Sequence, residues 1–164
     1  LFEISNVVLK DVLTHFHGVP HRTQYVATIE GRKFFNDSKA TNILATKKAL
    51  SGFPVAKTIL IAGGLDRGNG FEELESSLKG LKGLLVFGQT QEKLAMAGKN
   101  AGVAQIIKVK DPVEAVSAAY NISAKEDIIL LSPANASWDQ YPNFEVRGDE
   151  FIATVEEFTQ TKGV

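Results

Sequence analysis

The chain has 164 residues, 44% of them hydrophobic and 23% charged. That suits one domain with its own core, at ~100–200 residues per domain, and excludes disordered, collagen-like and coiled-coil sequences. Eighteen Lys and Arg against nineteen Asp and Glu leave a formal charge of −1, so no global basic field exists to hold nucleic acid or an anionic membrane, and neither is expected as a partner. The absence of cysteine removes disulfides, thiolate metal sites and cysteine nucleophiles together, and is compatible with the cytoplasm. No apolar run approaches the ~18–20 residues of a membrane span, and the N-terminus lacks the basic-then-apolar order of a signal peptide. The only methionine is Met96, so the chain is expected to be part of a longer polypeptide.

Residues 4–16 place Ile4, Val7, Val8, Val12, Leu13 and Phe16 at helical spacing, which predicts a short amphipathic helix. Gly18, Pro20 and His21-Arg22 then break the pattern as a linker would, and the main unit is expected over 23–164, with 1–22 the end of a preceding unit. Residues 25–29 and 33–35, around Glu30-Gly31-Arg32, predict a hairpin. Thereafter the chain alternates. Helices are predicted over 41–50, 71–79, 90–99, 111–123 (with Pro112 in the first turn) and 146–160, and strands over 58–62, 84–87, 104–109 and 127–131. Short, continuously apolar strands between amphipathic helices imply a parallel sheet covered on both faces. The expected fold is therefore α/β: a three-layer Rossmann-like sandwich with a mostly parallel sheet and a hairpin-like N-terminal edge.

In such a sheet ligands collect beyond the carboxyl ends of the strands, which selects three loops. Asn36-Asp37-Ser38-Lys39-Ala40-Thr41-Asn42 reads either as a helix N-cap, with Asp37 or Ser38 accepting from the first turn, or as an anion cradle in which Ser38, Lys39 and Asn42 add side-chain donors to a helix start. Gly63-Gly64-Leu65-Asp66-Arg67-Gly68-Asn69-Gly70 matches neither dinucleotide nor P-loop fingerprints, yet offers a flexible backbone and, in Arg67, a planar fork for a carboxylate or phosphate. The third loop, from Ser132 to Glu150, is long, polar and aromatic. Trp138 and Phe144 plug the end of the core, line a pocket, or do both.

His21 at the seam reads as a surface histidine, and His15 and His17 have no metal-like partner. Arg147-Gly148-Asp149 most simply begins the last helix. No Ser-His-Asp order, Gly-x-Ser-x-Gly elbow or His-Glu-x-x-His motif occurs. The loops thus supply cations, hydroxyls and backbone donors with little to act as a general base. They describe a binding lobe for a small acidic molecule.

Those same stretches, with His21-Arg22, Ile61-Ala62-Gly63-Gly64-Leu65-Asp66-Arg67-Gly68, Ser132-Pro133-Ala134-Asn135-Ala136-Ser137-Trp138-Asp139-Gln140 and Asn143-Phe144-Glu145-Val146-Arg147-Gly148 in order, resemble the C-terminal domain of the Mur ligases, nearest to the branch that adds D-glutamate. The resemblance covers essentially the whole chain. It implies a three-domain cytoplasmic enzyme of peptidoglycan synthesis, expected to be monomeric. In it ATP and Mg are held mainly by a central domain, UDP-N-acetylmuramoyl-L-alanine is activated as an acyl phosphate, and D-glutamate attacks. By that likeness Thr41, Arg67, Ser137, Trp138 and Phe144 fall on positions around D-glutamate, while Arg22 and Asp37 reach ATP across the interdomain cleft. No catalytic residue is expected within this part alone, and no metal ligand. Many family members carry lysine where this chain has Arg67, and some carry leucine where it has Trp138. A lobe of this kind acts only when its partner brings the reacting groups together, so on its own it is expected to be silent. Two other readings stay open: a free-standing α/β module for a phosphate-bearing metabolite, and a sheet-based interaction domain.

Overall fold

A computed structural model describes residues 4–15 and 18–162. The predicted first helix is α1, Asn6–His15; Phe16 and His17 lie outside the described residues. Its apolar side chains stay open to solvent, with Val7 and Leu13 about three-quarters exposed.

The predicted hairpin is present as β1 (Gln24–Ile29) and β2 (Arg32–Asn36), antiparallel and closed by Glu30 and Gly31. Both turn residues have positive φ, +47° and +82°, the pattern of a primed turn whose twist matches that of the flanking strands. The alternating units follow as α2 (Ile43–Leu50), β3 (Thr58–Gly63), α3 (Glu72–Leu78), β4 (Gly83–Phe87), α4 (Gln91–Asn100), β5 (Ile106–Lys108), α5 (Pro112–Ile122), β6 (Ile128–Ala134) and α6 (Phe144–Thr161). A single 3₁₀ turn over Val55–Lys57, which the sequence pattern does not show, leads into β3.

The six strands form one sheet in the order β1-β2-β6-β3-β4-β5, parallel except for the β1–β2 edge pair. Along β3, β4 and β6 every residue is buried, because alternate side chains enter two different cores. Leu60, Ala62, Leu84, Val86 and Leu130 pack with α2, α3 and α4. Ile59, Ile61, Leu85, Phe87 and Leu131 pack with α5 and α6 on the opposite face. This two-sided burial is why the strands read as apolar runs rather than alternating ones.

The topology also fixes where a ligand belongs. Strand β6 hands the chain to α6 on one face, while its neighbours β2 and β3 hand theirs to α2 and α3 on the other. The connections therefore part company beyond the carboxyl end of β6, opening a crevice at a topological switch point. Among the described residues, no helix is long and apolar enough to cross a membrane.

Candidate functional site

The three loops singled out from the sequence meet over this crevice. Gly63 and Gly64 make the meeting possible: with φ of +152° and +139°, a Cβ on the first would overlap the Phe87 carbonyl oxygen and on the second that of Ala136. The close approach is stitched by Leu65 N–H donating to Ala136 O at 2.9 Å and Thr90 N–H donating to Gly64 O at 3.1 Å. On the far side Asp139 accepts from Gln89 N–H at 3.1 Å, tying the post-β6 loop to the end of β4.

Beneath the loops lies Arg147, fully buried in the first turn of α6. Its Nε and Nη2 donate to Ser38 Oγ (3.0 Å) and Ser38 O (2.8 Å), and its Nη1 donates to Asn135 O (3.1 Å). Ser38 Oγ in turn donates to Phe144 O at 2.8 Å. One guanidinium thus ties the β2–α2 loop, the post-β6 loop and the start of α6 together. Desolvation lowers its pKa to about 10, against the attraction of Asp139, so it is still a cation at neutral pH.

Five residues named from the sequence, Thr41, Arg67, Ser137, Trp138 and Phe144, line one cavity of about 280 Å³. Ser137 is 2% exposed, and its Oγ has no hydrogen-bond partner among the described residues. A buried hydroxyl left in that state is rare and costly unless something arrives to meet it. Trp138 is 64% exposed and does not plug the core. Its ring lies under the Arg67 guanidinium, with Cζ 5.0 Å from the ring centroid. Phe144 is half-buried, with Lys39 Nζ 5.1 Å over its ring and His21 edge-on at 6.0 Å. A larger cavity of about 620 Å³ continues past Thr41, Arg67 and Ala136 toward Asn69 and Glu72.

Arg22, Asp37, Lys39 and Asn42 line a separate recess of about 460 Å³, which Lys48 also borders. Asp37 is 5% exposed and already occupied, accepting from Thr23 N–H (3.0 Å) and Ser132 Oγ (2.7 Å). Burial raises its pKa above the ordinary value, opposed by the Ser132 and Thr23 hydrogen bonds and by Arg22.

Three local expectations are corrected. The cap of α2 is neither Asp37 nor Ser38 but Asn42, whose Oδ1 accepts from Ala45 N–H at 2.9 Å. Asp37 and Ser38 lie too far upstream of Ile43, and their oxygens are spent inside the fold. Of the cradle Ser38, Lys39 and Asn42, Ser38 drops out, fully buried under Arg147; Lys39 and Asn42 stay exposed, with Asn42 Oδ1 spent on the cap of α2. His21 is 8% exposed rather than superficial: Asn36 Nδ2 sits 3.0 Å from its Nδ1, and Asp149 3.6 Å from its Nε2. The sequence reading also passed over Arg147 as a simple helix start. Its spacing from Phe151 and Val155, four and eight residues on, carries the signal, because it places the arginine on the buried stripe of α6.

This fold and rim define a doubly wound α/β lobe with a polar, cation-bearing crevice beyond the carboxyl ends of its strands. Residues 21–135 match the family described as Mur ligase, glutamate ligase domain, and the chain belongs to that family. It is 59% identical over 162 residues to the UDP-N-acetylmuramoylalanine–D-glutamate ligase of Enterococcus hirae, covering 99% of this chain. It is 60% identical over 163 residues to that of Ligilactobacillus salivarius, covering 98% of this chain. The chain spans 35% of the length of each of these relatives. Among solved structures, the UDP-N-acetylmuramate-alanine ligase of Thermotoga maritima shares the fold with a TM-score of 0.65 at 16% identity, over 98% of this chain and 34% of that one. The MurF ligase of the same organism, solved in complex with ADP, does so at 0.58 and 20% identity, over 92% of this chain and 34% of that one.

Proposed function

We propose that this chain is the D-glutamate-binding domain of an ATP-dependent ligase that joins D-glutamate to UDP-N-acetylmuramoyl-L-alanine. The observation that carries the reading is the 280 Å³ cavity, where a guanidinium, two hydroxyls and two aromatic rings converge from three loops and one hydroxyl, that of Ser137, is buried without a partner among the described residues. An acidic amino acid suits this rim: its carboxylate oxygens accept from Arg67, Thr41 and Ser137, and Phe144 walls its aliphatic stem.

The neighbouring recess suits the phosphates of ATP. Arg22, Lys39 and Lys48 set three cations around it, while Asp37, with both oxygens engaged, steadies Thr23 and Ser132 and holds the Arg22 segment against the sheet. ATP supplies the activation of the acceptor carboxylate. The task of this chain's residues is to hold the amino acid and shield it from water until a partner domain closes over it. Mg, UDP-N-acetylmuramoyl-L-alanine and the cytoplasmic location belong to the whole-enzyme reading.

Steady-state kinetics of the full-length protein that carries this chain test it. Arg67→Ala should raise the KM for D-glutamate by roughly 10- to 100-fold, the worth of a charge-assisted hydrogen bond, and leave the KM for ATP within about twofold. Arg22→Ala should do the reverse. Equal losses for both substrates in either variant would defeat the assignment.

A further inference from the structure

Among the described residues lining the 280 Å³ cavity, Arg67 is the cation, and the structure shows how it is kept available. Its nearest carboxylate along the chain is Asp66, and a free carboxylate within reach is a competing bidentate partner for a guanidinium. Here Asp66 is already taken. Lys93, reaching from α4, places Nζ 2.9 Å from Asp66 Oδ1 and 2.8 Å from Oδ2, and Gly68 N–H donates to Oδ1 at 2.8 Å. The Lys93 hydrogen bond, followed by that of Gly68, holds the Asp66 carboxyl below its ordinary pKa, so the charge is present and needs an answer. Glu145, the other charged residue on the rim, forms no ion pair with Arg67. The second restraint is Trp138, whose ring lies 5.0 Å from the Arg67 Cζ. Stacking fixes the plane of a guanidinium as it does not fix an ammonium, and it accounts for a large aromatic ring left mostly in solvent.

We propose that Lys93 and Trp138 are positioning residues: Lys93 by occupying Asp66, and Trp138 by stacking, hold Arg67 uncommitted on the cavity rim for a ligand carboxylate. The proposal rests on the reading that Arg67 meets a carboxylate of the incoming amino acid. It adds two residues outside that contact, Lys93 on α4 and Trp138 on the loop after β6.

The test is steady-state kinetics of the full-length enzyme with D-glutamate as the varied substrate, with thermal melting to establish that each variant is folded. Lys93→Met should raise the KM for D-glutamate roughly two- to fivefold, the range of a surface ion pair, with kcat held within about twofold. Adding Asp66→Asn to Lys93→Met should return the KM to its starting value, because the competing carboxylate is gone. Trp138→Leu should raise the KM by a similar two- to fivefold, the range of an exposed cation–π contact, and Trp138→Phe should recover most of it. If Arg67→Ala raises the KM while Lys93→Met or Trp138→Leu leaves it unchanged, or if Asp66→Asn fails to rescue Lys93→Met, the positioning proposal is overturned and the role of Arg67 survives. If Arg67→Ala itself leaves the KM unchanged, the underlying reading fails and takes the proposal with it.

Discussion

Gly148 shows how a single missing methyl group supports this site. It sits in α6 with the His21 ring against its Cα: a Cβ there would overlap His21 Nδ1 and lie 3.0 Å from Asn36 Nδ2. The histidine bridges Asn36 and Asp149, and Asn36 Oδ1 accepts from Ser38 N–H at 3.0 Å, so displacing the ring disturbs the loop that carries Thr41. In an ordinary helix interior Gly→Ala stabilises by about 1 kcal/mol. Gly148→Ala should have the opposite sign, costing about 1–3 kcal/mol through overpacking. Urea midpoints with an unchanged denaturant slope measure it; a raised midpoint would show that the ring moves aside at no cost.

At the scale of elements, three helix starts pair the same cap chemistry with different positions. Asn42, Asp111 and Asn143 each have extended backbone and a side-chain oxygen accepting from the N–H three residues on, at 2.9, 2.9 and 2.8 Å. Each Ala substitution should cost about 1 kcal/mol, visible as similar falls in melting temperature. Only Asn42→Ala and Asn143→Ala should also raise the KM for D-glutamate, because Thr41 and Phe144 adjoin those caps, whereas Asp111 begins α5 away from the cavity; an equal KM effect in all three would break the link between caps and site. The Asp111-Pro112 start is plain in the sequence, as are β3, β4 and β6, whose apolar runs follow from burial on both faces. Less legible were β5, shortened from six expected residues to Ile106–Lys108 at the sheet edge where few partners extend it, and α6, which starts at Phe144 because Asn143 caps it. The residues facing the crevice were readable since the loops after β2, β3 and β6 carry chemistry that turns alone do not need. What local pattern does not report is commitment: Ser38 and Asp37 look as available as Thr41 until the tertiary fold claims their oxygens.

Across the whole molecule the two recesses depend on one buried charge. Arg147 is fully buried, and its three hydrogen bonds end on neutral oxygens of Ser38 and Asn135 rather than on carboxylates. The β2–α2 loop it grips borders both the cavity of Arg67 and the recess of Arg22. Arg147→Met keeps most of the volume but leaves buried oxygens on Ser38 and Asn135 unpaired, at about 1–3 kcal/mol each, partly offset by relief of the desolvated charge. A net loss of about 2–4 kcal/mol is expected, and Arg147→Lys should recover little of it, since one ammonium does not reproduce the fork that reaches Ser38 Oγ, Ser38 O and Asn135 O together. Where Arg67→Ala and Arg22→Ala should each weaken one substrate, Arg147→Met should raise the KM for D-glutamate and for ATP in the full-length enzyme, because the loop common to both sites loses its anchor. A variant that melts earlier yet keeps both KM values would reduce Arg147 to a stability residue and show that the loop holds its shape unaided.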